Sequence, residues 1–175
     1  MEDLDRIIAE HAESVWRAAY RLLGSTADAD ECMQDAFVEA FHVNRRMNVR
    51  NWGAMLRRIA TMRALDYLRH RLAAKPQIAG RTQCEDLPWA GDPPSARAER
   101  GELRDLLRQA LSRLPVQQAQ IFCLRHIEEM SYEDIADQMQ VSVNSVGAIL
   151  NRARERLREL LGEYGKATGK TRCQL

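Results

Sequence analysis

The stretch YEDIADQMQVSVNSVGAILNRARERL, from Tyr132 to Leu157, reads as a short helix, a tight turn and a longer helix. Ser131 stands three residues before Asp134, which resembles a capping box and predicts a helix from Tyr132 to Met139. Ser142 is a good capping residue for a second helix that ends at about Leu161. These are the parts of a helix-turn-helix, whose second helix presents its first turns to the edges of DNA bases.

The second of these helices is predicted to have two different sides. Apolar residues recur at steps of three and four, which places them on one buried stripe: Val146, Ile149, Leu150, Ala153, Leu157, Leu160 and Leu161. The opposite side carries Asn144, Ser145, Ala148, Asn151, Arg152 and Glu155. Asn pairs well with adenine and Arg with guanine, and arginines suited to phosphate follow as far as Arg158. An ordinary amphipathic helix with a solvated charged side is the alternative interpretation.

The charges of the chain are strongly segregated, although the net charge is only +1. Residues 1–43 hold 3 basic and 10 acidic side chains, whereas residues 44–75 hold 9 basic and 1 acidic. Residues 141–175 are basic again, with 7 basic and 3 acidic side chains. Two basic zones separated by acidic ones indicate two contacts with anionic partners, and a different kind of partner for the acidic zones.

Helical patterns account for most of the remaining chain, and no alternating strand is found. A helix is expected from Leu4 to Leu23, a second after Ser25, and a third from about Asn51 to Leu72. Four of the five prolines then lie between Pro76 and Gly101, where apolar periodicity is lost. The sequence therefore predicts an all-α protein with two small helical domains and a flexible linker: a domain at 1–75, the linker at 76–100, a helix-turn-helix domain at 101–165 and a tail at 166–175.

The third helix carries a second candidate nucleic-acid surface. Its apolar stripe includes Trp52 and Ile59, while five arginines spread over the other half of the helix: Arg50, Arg57, Arg58, Arg69 and Arg71. Arginines beside aromatic rings suit the phosphates and stacked bases of an unpaired strand. A basic solvated helix with a core tryptophan explains the same pattern equally well.

Other chemical classes find little support in the sequence. There is no catalytic triad and no phosphate-binding glycine loop, so neither an enzyme nor a cofactor is expected. Cys123 and His126 stand three apart, but a core thiol beside a surface histidine is favoured over a metal pair, and no metal site is predicted. The acidic N-terminus has no signal core and no apolar run is long enough to span a membrane, which indicates a cytoplasmic protein.

Three segments in order resemble one protein family. DADECMQDAFVEAF (residues 28–41), NVRNWGAMLRRIATMRALDYLRHR (residues 48–71) and residues 110–161 are similar to the extracytoplasmic-function sigma factors of the bacterial sigma-70 family. The resemblance covers about residues 5–162. It implies a transcription initiation subunit without catalysis of its own. The first domain would bind core RNA polymerase and melt the promoter −10 element, and the second would read the −35 element.

The resemblance also assigns residues to each surface. Polymerase binding, to the β′ clamp, is assigned to Glu31, Gln34, Asp35 and Phe37. Binding of −10 DNA is assigned to Asn48, Arg50, Asn51, Trp52, Arg57, Arg58, Arg69 and Arg71, with Met47 at the start of a base-capturing loop. Binding of −35 DNA is assigned to Ser142, Asn144, Ser145, Ala148, Asn151, Arg152 and Arg154.

The resemblance also implies further partners. The second domain implies contact with the β flap, and an anti-sigma factor, usually membrane-anchored, is expected as the inhibitor. The linker acids Glu85, Asp86 and Asp92 would follow a cationic nucleic-acid path in the polymerase.

The sequence departs from the family pattern at a few positions. Gly147 and Ile149 stand where the family often has basic residues, so recognition of the −35 element would depend more on Asn151, Arg152 and DNA shape. Met62 replaces a common asparagine. The overall pattern suggests the heavy-metal-resistance group, with cobalt or nickel as the signal.

Two alternative functions compete with this interpretation. A dimeric helix-turn-helix repressor would explain residues 131–161 but leave the acidic first block and the basic third helix without a role. A helical adaptor without a DNA role would show no salt-sensitive DNA binding.

The predicted linker gives the first testable expectation. Because residues between Pro76 and Gly101 lack apolar periodicity, limited proteolysis of the isolated protein should cut there first. Mass spectrometry of the early fragments identifies the site. A first cut inside one of the predicted helices, with this segment intact, would contradict the two-domain division.

Overall fold

The structure is a computed structural model that describes residues 4–44, 49, 51–74 and 94–167. All regular elements in this part of the chain are helices, so the all-α prediction is confirmed. The predicted −10 residues Asn48 and Arg50, Met47 of the adjoining loop, and the linker acids Glu85, Asp86 and Asp92 lie outside the described residues. The helices are α1 (Leu4–Leu23), α2 (Thr26–Asn44), α3 (Trp52–Ala74), α4 (Pro94–Arg113), α5 (Val116–His126), α6 (Tyr132–Met139) and α7 (Val143–Ala167).

The first three helices begin and end at local signals that are visible in the sequence. α1 ends before Gly24, whose φ of 67° is readily adopted only by glycine. The Ser25 hydroxyl then accepts a hydrogen bond from the Asp28 N–H at 3.3 Å. The side-chain oxygen of Asn51 accepts one from the Ala54 N–H at 2.9 Å, which caps α3. We refer to α1–α3 as the N-terminal half.

The C-terminal half, α4–α7, contains the helix-turn-helix. The Asp134 N–H donates to the Ser131 hydroxyl at 3.0 Å, and α6 has the predicted bounds. Gln140 adopts a left-handed conformation with φ 54°, which ends α6 and begins the turn. α4 begins at Pro94, within the segment 76–100 assigned to the linker and close to Ala96, where the sequence predicts that helix resumes. Proline is favourable in the first turn of a helix. α7 continues to Ala167, beyond the predicted end.

Each half has a hydrophobic cluster of its own. In the N-terminal half, Val15 of α1, Phe37 of α2 and Leu56 of α3 belong to a cluster drawn from these three helices and the chain between them. In the C-terminal half, Ile121 of α5, Ile135 of α6 and Leu150 of α7 form a second cluster, which α3 enters only with Ala54. α1–α3 and α5–α7 therefore each contribute most of one cluster.

A third cluster lies between the halves, a contact that the sequence analysis did not predict. Leu22 and Leu23 of α1, with Leu65 and Leu68 of α3, pack against residues of α4, α5 and α7, and all four are fully buried. Their partners include Leu111, Leu114, Cys123, Leu157 and Leu160. α3 thus lies at the centre of the molecule, where it contacts α1 and α2 of its own half and α4, α5 and α6 of the other.

No helix within the described ranges has the combination of length and apolar content that a membrane span requires.

The cap of α6 gives a stability prediction for the helix-turn-helix. Replacing Ser131 with alanine removes the acceptor for the Asp134 N–H and should lower the free energy of unfolding by about 1 kcal/mol. Chemical denaturation followed by circular dichroism measures the change. Ser14→Ala is the matched control, because the Ser14 hydroxyl only donates to the His11 carbonyl within an exposed helix. Equal losses in the two variants would contradict the capping role.

Candidate nucleic-acid interface

The outward side of α7 is the most accessible of the predicted surfaces. Asn144, Ala148, Asn151 and Arg152 are all exposed, while the opposite side of the helix is anchored by fully buried residues. The first turn is held by Ser142, whose hydroxyl accepts from the Ser145 N–H at 3.1 Å. Ser142 and Arg154 flank this surface, Ser142 exposed and Arg154 half-buried. The structure therefore places Asn144, Ala148, Asn151 and Arg152 on the exposed side of one helix, with Ser142 directly before its start.

The arginines of α7 differ in their surroundings. Arg154 lies between the Asn151 side-chain oxygen, at 3.4 Å, and Nε2 of His126 on α5, at 3.2 Å. Burial, together with the charges of Arg154 and Arg125, lowers the pKa of His126 and favours the neutral ring, which can accept from a guanidinium. Arg156 is paired with Glu159 at 2.7 Å. Arg152 lies on the exposed side of the helix.

Arg125 orients the helix-turn-helix, a role that the sequence analysis missed. Its guanidinium donates to the Met130 carbonyl at 2.8 Å and lies 5.4 Å from the centre of the Tyr132 ring. This cation–π contact joins α5 to the start of α6. A long-range contact of this kind leaves no periodic signal in the sequence.

The two departures from the family pattern in α7 have different structural settings. Ile149 is half-buried and packs against the cluster of α5–α7, so this position serves the core. A Cβ atom at Gly147 would meet only Tyr132, at 3.8 Å, which is ordinary van der Waals distance. Packing therefore does not require glycine at position 147.

The acidic surface of α2 is only partly as predicted. Glu31, Gln34 and Asp35 are exposed together, as expected for a docking surface. Phe37 is instead only 7% exposed, and its ring centre lies 6.2 Å from that of Phe41. Its side chain therefore belongs to the core and is not available to a partner. Val38 is 57% exposed beside the acidic residues. We define the α2 patch as Glu31, Gln34, Asp35 and Val38.

The arginines of α3 do not form the open basic surface that was predicted. Arg57, Arg58, Arg69 and Arg71 are each only partly exposed. Arg71 pairs with Asp28 of α2 at 3.3 Å, and Asp28 also accepts from the Tyr67 hydroxyl at 3.0 Å.

Arg63 makes a similar link to α2, with its guanidinium 2.7 Å from a carboxylate oxygen of Glu39. One side of α3 therefore neutralises acids of α2. In the sequence these charges stand in separate acidic and basic blocks, and nothing local indicates that they pair.

Other α3 arginines are turned toward the protein interior. Within the described residues, Nε of Arg58 and one terminal nitrogen of Arg69 are buried without a hydrogen-bond partner. Arg58 donates to the Met62 sulfur at 3.2 Å, and Arg69 pairs with Asp66 at 3.2 Å. Arg57 lines a cleft of about 300 Å³ between the two halves.

Asn51 and Trp52 have structural roles in this conformation. Trp52 is 8% exposed, and its ring centre lies 5.9 Å from that of Phe41 in the N-terminal cluster. The interpretation of Trp52 as a core side chain is therefore the one that fits this structure. Asn51 is exposed, but its side chain caps α3.

The described cysteines are core residues. Burial raises the pKa of the Cys32 thiol to about 12 and also raises that of Cys123. Cys123 is fully buried and His126 is exposed, as the non-metal interpretation of this pair expects. Among the residues that the structure describes, no group of three or more potential ligands is positioned for a metal ion.

Comparisons with known proteins match the same two halves. The family model for sigma-70 region 2 matches residues 7–73, and that for sigma-70 region 4 matches residues 104–157. The ECF RNA polymerase sigma factor SigE of Mycolicibacterium smegmatis is 30% identical, over 98% of this chain and 66% of its own length. The ECF RNA polymerase sigma factor SigW of Bacillus subtilis is 27% identical, over 89% of this chain and 87% of its own length.

Two solved structures are similar in fold. One is the sigma factor RpoE in complex with the anti-sigma factor NepR from Bartonella quintana, with a TM-score of 0.57, 21% identity, and coverage of 92% of this chain and 98% of that one. The other is CnrH in complex with the cytosolic domain of CnrY, with a TM-score of 0.56, 23% identity, and coverage of 91% and 88%. With matches to both sigma-70 regions and to two ECF sigma factors over 89–98% of its own length, the chain belongs to the sigma-70 family, as a member of its extracytoplasmic-function group.

Proposed function

We propose that this chain directs bacterial RNA polymerase to promoters by reading the −35 element with α7 and the −10 element with α3 and the segment before it. The observation that carries the proposal is the exposed row of Asn144, Ala148, Asn151 and Arg152 on a helix that is buried on its other side. Helix-turn-helix proteins place such a row in the major groove, where each base pair has a distinct pattern of donors and acceptors.

The α2 patch is the proposed contact with core polymerase. Its acidic residues would meet a cationic surface such as the predicted β′ clamp, and Val38 would supply apolar contact. The C-terminal half is proposed to contact the β flap. In this arrangement the polymerase supplies the chemistry, and the sigma chain supplies recognition and strand separation.

An anti-sigma factor is the proposed regulator. The two sigma-factor structures of similar fold were each solved as a complex, one of them with a named anti-sigma factor. For this chain we propose a membrane-anchored anti-sigma factor and action in the cytoplasm, where the polymerase works. The heavy-metal signal, cobalt or nickel, stays a prediction that a promoter-reporter assay with added metal salts would test.

The recognition side of α7 is tested by Arg152→Ala. The promoter is first selected from randomised DNA by polymerase carrying this chain. If Arg152 contacts a base, the variant should lose about 1–3 kcal/mol of binding at one −35 position and relax the preference there. If it contacts only phosphate, binding should fall about equally on all −35 variants, with a shallower salt dependence.

Arg158→Ala is the charge-matched control: it removes the same charge from an exposed site further along α7, so it can lower affinity only through phosphate and should leave base preference at every −35 position unchanged. Binding is measured by fluorescence anisotropy on a panel of single-base −35 variants. A folded Arg152→Ala protein with unchanged affinity and unchanged base preference would contradict the assigned recognition side.

The α2 patch is tested by the double change Gln34→Ala and Asp35→Arg. Both side chains are exposed, so the fold should persist while affinity for core polymerase falls by about tenfold or more through lost charge complementarity. Size-exclusion chromatography with core enzyme is the measurement. Asp137→Arg, an exposed acid on α6, is the control. Normal co-elution of the double variant would refute the docking assignment.

A further inference from the structure

We propose that His126 of α5 and Arg154 of α7 together form a proton-linked site for one backbone phosphate of the −35 duplex, so that acidification strengthens promoter binding. This inference rests on the proposed function and deepens it, because it adds to the −35 surface a residue that the sequence indicates only as a surface histidine. Its parts are the position of the pair, an excess of positive charge around it, and a ring that can gain a proton.

The pair lies directly beside the row that is proposed to read bases. One terminal nitrogen of Arg154 lies 3.4 Å from the side-chain oxygen of Asn151, and the other lies 3.2 Å from Nε2 of His126. Asn151 and His126 are exposed, and Arg154 is half-buried. A helix in the major groove has the phosphates of the two strands along its flanks, and many of its contacts go to them. A phosphate that flanks the base contact of Asn151 would therefore meet Arg154 and the ring of His126.

The ring of His126 is held in place by its own helix. His126 stands in the last turn of α5, and its ring centre lies 4.6 Å from that of Phe122, one turn earlier. Phe122 in turn packs against the hydrophobic clusters of the C-terminal half. The imidazole is thus supported on one face while Nε2 is directed at Arg154, and little side-chain freedom remains to be lost when a ligand binds.

Positive charge is concentrated at this place without an acid to balance it. The charges that act on the His126 ring are those of Arg154 on α7 and Arg125 on α5, and both are positive. In the part of the chain that the structure describes, neither arginine is paired with a carboxylate, whereas Arg156 of the same helix pairs with Glu159 at 2.7 Å. Cations gathered in this way favour an anion, and a phosphate accepts hydrogen bonds from guanidinium and imidazolium groups alike.

The direction of the proton linkage follows from these charges. In the free chain, burial and the charges of Arg154 and Arg125 lower the pKa of His126, so the ring is neutral at neutral pH. A phosphate between Arg154 and the ring is an opposite charge, which raises the pKa of His126 in the complex. The complex then binds more protons than the free chain, and affinity rises as the pH falls through the interval between the two pKa values. Above that interval the ring is neutral in both states, and the effect disappears.

The test compares three full-length chains: wild type, His126→Gln and His42→Gln. Glutamine can accept from Arg154 and donate to a phosphate, but it does not titrate. His42 is the matched control, because it is also an exposed histidine in the last turn of a helix but lies on α2, outside the proposed DNA-binding surfaces. Fluorescence anisotropy measures binding of the −35 duplex of the selected promoter between about pH 8 and about pH 5.5, at constant salt. Circular dichroism confirms that each variant is folded.

Wild type and His42→Gln should gain about threefold or more in affinity over this pH range, beyond any gain of His126→Gln. Near the alkaline end the three chains should bind about equally. The gain should be the same on every single-base −35 variant, because phosphates carry no base identity. Equal pH dependence of wild type and folded His126→Gln would overturn the proposal. A gain confined to one base pair would overturn the assignment to phosphate.

A second measurement tests the shared site through Arg154→Gln. This variant should bind more weakly at every pH and should lose most of the pH-dependent gain, because the ring then lacks the partner that holds the phosphate beside it. A full gain in Arg154→Gln would show that the two side chains do not share one phosphate, which contradicts the site.

Nuclear magnetic resonance of the wild-type chain supplies a readout that needs no functional variant. The ring C–H signal of His126, identified by its loss in His126→Gln, is titrated with and without duplex, and its pKa should be higher in the complex. An unchanged or lower pKa would refute the linkage. Sodium sulfate at the same anion concentration should leave the signal unmoved, and an equal response to sulfate would contradict a site for DNA.

Failure of the proposed function looks different from failure of this site. If the chain does not direct polymerase to promoters, polymerase carrying the wild-type chain selects no promoter from randomised DNA. If only the phosphate site is wrong, selection is intact and the dependence of −35 binding on His126 is absent.

Discussion

The rest of the structure depends on the burial of α3 from several directions. This helix lies against α1 and α2 in its own half and against α4, α5 and α6 in the other. Its leucines Leu56, Leu65 and Leu68 are fully buried. A helix can bury apolar side chains on several of its sides only where other helices surround it. The positions that remain for charge are therefore few, and its arginines lie at the borders between helices.

Those borders explain why the basic block of the sequence is not a basic surface. Arg63 and Arg71 meet acids of α2, while Arg57 and Arg69 are turned toward the C-terminal half. On α7 the apolar residues occupy a single stripe, so the other side stays accessible. Arginines of α3 are enclosed between helices, whereas Arg152 and Arg158 of α7 are exposed, and the difference lies in how many sides each helix buries.

Local signals predicted the elements well, and contacts distant in sequence were the part that could not be predicted. Gly24, Ser131 and Ser142 each mark a helix boundary because their effect is confined to neighbouring residues. The exposed side of α7 follows from 3.6-residue periodicity alone. For Trp52 the sequence left a core role and a base-stacking role open, and the packed structure shows a buried ring, as it does for Phe37. Nothing in the local pattern pairs Arg21 with Ile127, 106 residues away.

The position of Cys123 has a chemical consequence. Its thiol has no exposure and belongs to the cluster between the halves, where burial also keeps it protonated. Oxidants and alkylating reagents act on exposed thiolates, so this cysteine is protected for as long as the two halves remain together. The rate at which Cys123 is alkylated, measured by mass spectrometry, would therefore report any separation of the two halves without an introduced cysteine.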